Sequence, residues 1–182
     1  MPMIDFTYPK GALEPEAVAV AVDKLTAALL RHEGAPENER IRAIAWTFVH
    51  EQPATAIYGG GVPAAAPYYR VQLSVPQGTL LHGPGPFAVA ARRNLIREVA
   101  EIVLDAEGAP TTDANLGRVW CFINEIQEGF WGGLGTVFRI EDIAGFASDD
   151  LPATELSERA REAFGEHRAK LEVPAATGEA RP

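Results

Sequence analysis

The tightest constraint on this chain is that it repeats itself. "EGAP" stands at residues 33–36 and again at 107–110, a displacement of 74 residues. At the same displacement Trp46 matches Trp120, Phe48 matches Phe122 and Glu51 matches Glu125. The turn "IYGGG" at 57–61 likewise faces "WGGLG" at 131–135. Upstream, "YPKGAL" at 8–13 is similar to "VPQGTL" at 75–80, displaced by 67, and the difference of seven is absorbed around "LLHGPGP". Weak matches in one shared order mean a single supersecondary unit used twice.

Each unit reads strand–helix–strand. In the first, Ile4 and Phe6 alternate with Met3, Asp5 and Thr7, predicting a strand over 2–8. Pro15 suits the first turn of a helix that runs to Arg31, with Val18, Val22, Leu25 and Leu29 on one face. Gly34 is placed to end it in a left-handed cap. "RAIAWTFVH" at 42–50 predicts the second strand. The second unit has a strand at 69–75, a helix over 86–106 with Leu95, Val99, Ile102 and Val103 buried, and a strand at 118–125. A helix joining two strands of one sheet implies parallel pairing. The expected fold is therefore α/β (α+β): tandem βαβ units forming a four-stranded sheet with two helices on one face.

The units span 2–61 and 69–145 of a domain over 1–147, joined by the linker "GVPAAAP" at 61–67. Residues 148–182 change character and read as a charged surface helix with a loose tail. With 47% hydrophobic and 23% charged residues, the chain has the balance of a globular protein with a real core. A net charge of −9 disfavours nucleic acid as a partner, since no basic stripe offers itself to phosphates. No apolar run approaches membrane-spanning length, so a cytoplasmic protein without membrane attachment is expected. Cys121, the single cysteine, sits in an apolar run and reads as an inert thiol.

Two tandem βαβ units, a proline directly behind the initiator methionine and a glycine-rich turn after each second strand resemble the tautomerase superfamily. The chain looks like its fused, two-unit form. "EQPA" at 51–54 and "GGV" at 60–62 are similar to a stretch of the cis-3-chloroacrylic acid dehalogenase group. Malonate semialdehyde decarboxylase is another fused relative. The resemblance covers residues 2–145 and implies a homotrimer. It also implies that Met1 is removed and that Pro2 is the catalytic group, a general base and acid. The second unit puts Tyr69 at the position of Pro2, so one such centre per chain is implied.

Other family positions differ. The arginines of the hexameric tautomerases fall at Ala12 and at Trp46 or Trp120. The dehalogenase's two carboxylate-binding arginines align near Gln77 and Leu80, its glutamate near Gly133, its tyrosine near Phe122 and its histidine near Leu29.

A prolyl amine at the mouth of an apolar pocket loses hydration of its charged form, so its pKa falls from an α-amino value of about 7.7–8.0. It then serves as a base near neutral pH, and the rigid ring fixes its lone pair. The chemistry implied is tautomerisation or isomerisation of a small 2-keto or enol carboxylic acid. Decarboxylation or hydration on the same scaffold, or a trimer that only binds a small ligand, are the alternatives.

Candidates for substrate binding are Arg70 and Arg118 for a carboxylate, Gln77 and His82 in the loop after the third strand, and Phe122 and Trp131 as aromatic walls. His32 at a helix end reads as a favourable dipole partner. His50 and Glu51 point to opposite faces of a strand and cannot chelate together, so no metal and no cofactor are expected.

Overall fold

The computed structural model describes residues 2–35, 38–80, 86–133, 135–140 and 142–143. Alternation in the first strand has the expected consequence: β1 (Met3–Pro9) buries Ile4, Phe6 and Tyr8 and turns Met3, Asp5 and Thr7 the other way. Helix α1 (Pro15–Glu33) follows, with Pro15 at its first turn. After the short α2 (Glu39–Ile44), β2 (Trp46–Gln52) returns parallel to β1, with Met3 opposite Trp46. The small hairpin β3 (Tyr58–Gly59) and β4 (Val62–Pro63) leads into β5 (Tyr69–Pro76). The second unit continues through α3 (Pro86–Glu107) and α4 (Asp113–Leu116) to β6 (Val119–Ile126), parallel to β5, and then the hairpin β7 (Trp131–Gly133) and β8 (Thr136–Phe138).

The four long strands form one sheet in the order β2–β1–β5–β6, with β1 and β5 antiparallel at its centre. Helices α1 and α3 pack together over one face. Between them and the sheet lie Phe6, Leu25, Leu29, Leu73, Leu95 and Val103, all fully buried. Burial of each such side chain is worth roughly 1.5–3 kcal/mol relative to exposure.

The repeat is visible atom by atom. Gly34 closes α1 at φ 68° and Gly108 closes α3 at φ 73°. In both caps the glycine N–H turns back to a carbonyl three residues earlier, Arg31 or Asp105, and the next N–H reaches Leu30 or Leu104. Asn38 caps α2 through Ile41 N–H, and Thr112 caps α4 through Asn115 N–H. Every pair is separated by 74 residues.

The strand expected over 42–50 is corrected by this cap. The Asn38 side chain accepts from Ile41 N–H at 3.0 Å, Glu39 sits in the first turn, and residues 39–44 coil before β2 begins at Trp46. The segment 61–67 is also not linker throughout, because Val62–Pro63 pairs with Tyr58–Gly59. Partial burial pushes the Cys121 thiol up to about 12, so it stays protonated. His82 and the helix and tail expected over 148–182 lie outside the described residues.

The sheet face away from the helices is uncovered in the single chain. Its centre is polar, with Asp5, Thr7, Arg70 and Gln72, while aromatic pairs stand on both edge strands: Trp46 with Phe48, and Trp120 with Phe122. Trp46 is 55% exposed and Trp120 64%, an unusual loss of burial for the two largest side chains of the sheet.

Candidate active site at the proline edge of the sheet

Pro2 is buried, and its carbonyl accepts from Trp46 N–H at 3.3 Å. That bond fixes the head of the chain against β2. On the other side Met3 lies opposite Ser74, so the antiparallel register carries Pro2 toward Val75 and the end of β5. The turn after β5 therefore lies at the same edge as the start of β1. Within it, Gln77 N–H donates to Ile126 O at 2.8 Å and Thr79 N–H donates to Pro76 O at 3.2 Å. Gly78, between them, sits at φ 90°, where a side chain would be strained. Its N–H faces Glu125 Oε1 at 3.5 Å, and Leu80 plugs into the core. The fold thus brings Gln77 to the Pro2 edge. Strand β6 ends at the same edge and continues through Gln127–Phe130 into Trp131, which is buried in its hairpin.

One residue at this edge was not singled out from the sequence. Glu33, the last residue of α1, sets Oε1 3.0 Å from Thr79 Oγ1. Although the residue is only partly buried, loss of hydration pushes its carboxyl up to about 7, against the opposing pull of the Met1 ammonium and the Thr79 hydrogen bond. The hydroxyl of Thr79 also lies 2.9 Å from Pro76 O. A hydroxyl has one proton to give. It donates to Glu33 when that carboxyl is ionised and is free to donate to Pro76 when Glu33 carries the proton. The signal in the sequence was "EGAP" itself, which places Glu33 and Glu107 at equivalent positions.

The arginine candidates lie elsewhere. Arg70 stands opposite Thr7, five residues along the strand from Pro2, which is about 16 Å at 3.3 Å per residue. Arg118 is at that same far edge and holds an internal carboxylate. Its Nη2 donates to Glu107 Oε2 at 2.6 Å and its Nη1 to Oε1 at 2.9 Å, and Nη1 also reaches Pro67 O. Hydrogen bonding to Glu107 raises the guanidinium further, beyond what burial takes away. Behind it Tyr69 is buried, its hydroxyl near both Glu107 and Arg118 but short of hydrogen-bond geometry with either; burial and then Glu107 push its ionisation up.

A cavity of about 920 Å³ is also at this far edge and on the open face, with Thr7, His50, Tyr68, Arg70, Trp120 and Phe122 in its walls. It is an open-sided groove, separate from Pro2. His50 Nε2 is 2.7 Å from Asp5 Oδ1 across it, a pairing of side chains from neighbouring strands. Near the Pro2 edge, His32 pairs with Glu98 of α3 at 3.0 Å, and Arg31 pairs with the other oxygen of the same carboxylate. Partial burial pushes Glu98 up, but the hydrogen bonds and charges of Arg31 and His32 outweigh it and bring that carboxyl below its usual range. No helix among the described residues is long and apolar enough to cross a membrane.

No family model matches the sequence, and no curated protein matches it. Solved structures do match the fold. A member of the cis-3-chloroacrylic acid dehalogenase (cis-CaaD) family superposes with a TM-score of 0.60 at 18% identity, covering 87% of this chain and 98% of that one. A fused 4-OT wild-type symmetric trimer gives 0.56 at 18% identity, over 79% of this chain and 98% of its own. Leishmania major MIF2 gives 0.53 at 17%, over 76% and 97%. At these identities the likeness is one of fold, and it is the fold that the resemblance to the tautomerase superfamily implied.

Proposed function

We propose that this chain is a homotrimeric, cytoplasmic tautomerase that moves a proton on a small 2-keto or enol carboxylic acid, with Pro2 as base and acid once Met1 is removed. The observation that supports the reading is the setting of Pro2, buried at the head of a central strand, at the edge of the sheet where β5 ends; once Met1 is removed its nitrogen is a secondary amine. Dehydration disfavours the ammonium form and leaves a neutral nitrogen able to take a carbon-bound proton. Gln77 is at hand for a substrate oxygen. Arg70, at the opposite edge of its own sheet, serves a carboxylate only across an interface, in the Pro2 site of a neighbouring protomer.

The uncovered aromatic edges support assembly. Burying Trp46, Phe48, Trp120 and Phe122 between protomers removes apolar area that a monomer leaves in water. The test begins with the intact mass: a chain that keeps Met1 has an amide at Pro2 and no base. With Met1 gone, ketonisation of phenylenolpyruvate and of 2-hydroxymuconate is measured for the wild type and Pro2→Ala. Loss of ~10²–10⁴-fold is expected for Pro2→Ala. Equal rates refute the mechanism, and sedimentation as a monomer refutes the assembly.

A further inference from the structure

The two units of this fold carry the same carboxylate and treat it in opposite ways. Because Met3 pairs with Trp46 and Arg70 pairs with Trp120, and the two tryptophans are equivalent, Pro2 and Tyr69 occupy equivalent places. Glu33 and Glu107, each one residue before a glycine cap, are equivalent as well. In the second unit Glu107 lies beside Tyr69 and is neutralised by Arg118 through two hydrogen bonds. The residue that corresponds to Arg118 in the first unit, 74 positions earlier, is Ile44. Ile44 packs in a small apolar cluster with Leu30 and Ile41. Glu33 is thus the copy of the carboxylate without that arginine, at the position where the other unit faces Tyr69 and this one faces Pro2.

We propose that Glu33 is the counter-charge of the Pro2 ammonium, a positioning residue that sets the proton affinity of the catalytic amine. The proposal rests on the reading of Pro2 as the amino-terminal base. Burial alone drives the amine's affinity for a proton down, which makes it a weak base and an acid too strong to stay protonated between steps. A carboxylate beside it works in the opposite sense. When the Pro2 nitrogen takes the carbon-bound proton of the substrate, the C–H electron pair stays behind as the enolate. The new ammonium is then held by Glu33 until it hands that proton to another atom of the same substrate. Thr79 follows these changes, its hydroxyl turning to Glu33 or to Pro76 O according to which needs a donor.

Other charges near Glu33 are committed to different partners. Arg31 and His32, on its own turn of α1, are both bound by Glu98 of α3, and Glu125 of β6 faces the Gly78 N–H.

The test is the titration of the Pro2 amine itself. Protein beginning at Pro2 is labelled with ¹⁵N-proline, and the terminal nitrogen is followed by NMR against pH in the wild type, Glu33→Gln, Thr79→Val and Glu125→Gln. If the cell leaves Met1 in place, the same protein is released from a cleavable leader with Pro2 first. Removing the carboxylate lowers the amine's midpoint by roughly one to three units. Thr79→Val, which removes a hydrogen bond favouring ionised Glu33, lowers it by less. Glu125→Gln shifts it least. A midpoint that stays within a few tenths of a unit in folded Glu33→Gln overturns the proposal; should that variant fail to fold, an unmoved midpoint in Thr79→Val does so. An active enzyme with an unresponsive proline sinks the pair alone. A responsive proline in a protein inert toward every enol acid sinks the catalytic reading and leaves the pair standing.

Discussion

Replacing Arg118 with alanine separates a structural arginine from one free to bind substrate. The guanidinium makes two parallel bonds to Glu107, donates from Nε to Asn115 Oδ1 at 3.2 Å and from Nη1 to Pro67 O at 2.9 Å. It also lies 5.9 Å from the centre of the Tyr69 ring. The two charged side chains are only 12% and 16% exposed, so the pair is shielded from solvent and salt. Truncation leaves a dehydrated carboxylate and a carbonyl without their donors. Losing one side of such a pair costs about 3–5 kcal/mol, and the lost ring contact adds roughly 0.5–1 kcal/mol. At about 2–4 °C per kcal/mol for a chain of this size, Tm falls by roughly 7–24 °C. Thermal and urea melts at matched protomer concentration measure it, because an assembly's apparent stability depends on concentration. Glu107→Gln keeps the shape and one of the two hydrogen bonds from Arg118, and is expected to lose less than Arg118→Ala. A loss below about 1 kcal/mol for Arg118→Ala would place the pair with exposed ones and refute the reasoning.

Glu33 gives a pH dependence of opposite sign to the usual carboxylate. Its folded-state pKa of about 7 exceeds the unfolded value of 4.5, so between these limits the folded state holds a proton that the unfolded state releases. Stability is therefore lost as pH rises from 4.5 to 7, by at most about 3 kcal/mol given partial exposure, and Glu33→Gln should flatten that slope. Identical slopes in urea midpoints against pH would contradict the assignment. Gly34→Ala and Gly108→Ala, at φ 68° and 73°, should each destabilise by about 1 kcal/mol and add in the double variant, as read by urea unfolding. Trp120→Glu, on the uncovered edge strand, should leave the monomer's secondary structure intact by circular dichroism and abolish assembly in sedimentation. A trimer retained by that variant would mean the face is used for something else.

Much of the fold was legible because it rests on local rules. Alternation in β1 and the glycine after each helix are chain-neighbour effects, and both βαβ units follow from them. The boundary at 42–50 was missed because "RAIA" has the composition of either element, and the side chain that decides it, Asn38, lies four residues upstream. Arg118 looked free for the same reason: its partner Glu107 ends another helix, and nothing in the spacing announces two hydrogen bonds between them. Conversely, Glu33 entered the sequence reading only as part of the repeated "EGAP", past the helix end expected at Arg31.

The sequence by itself determined the duplication, the two parallel strand pairs, the helix caps and the single candidate amine. These depend on residue type and on separations of three, four or 74 along the chain. Only the tertiary structure decided what surrounds that amine. The antiparallel register of β1 on β5 puts the Gln77–Leu80 turn at the Pro2 edge of the sheet and sends Arg70 and Arg118 to the other edge. The end of α1 lies where Glu33 meets Thr79. Proximity of that kind is set by how the two units pack against each other, and dehydration and charge act over ångströms in space rather than positions in sequence.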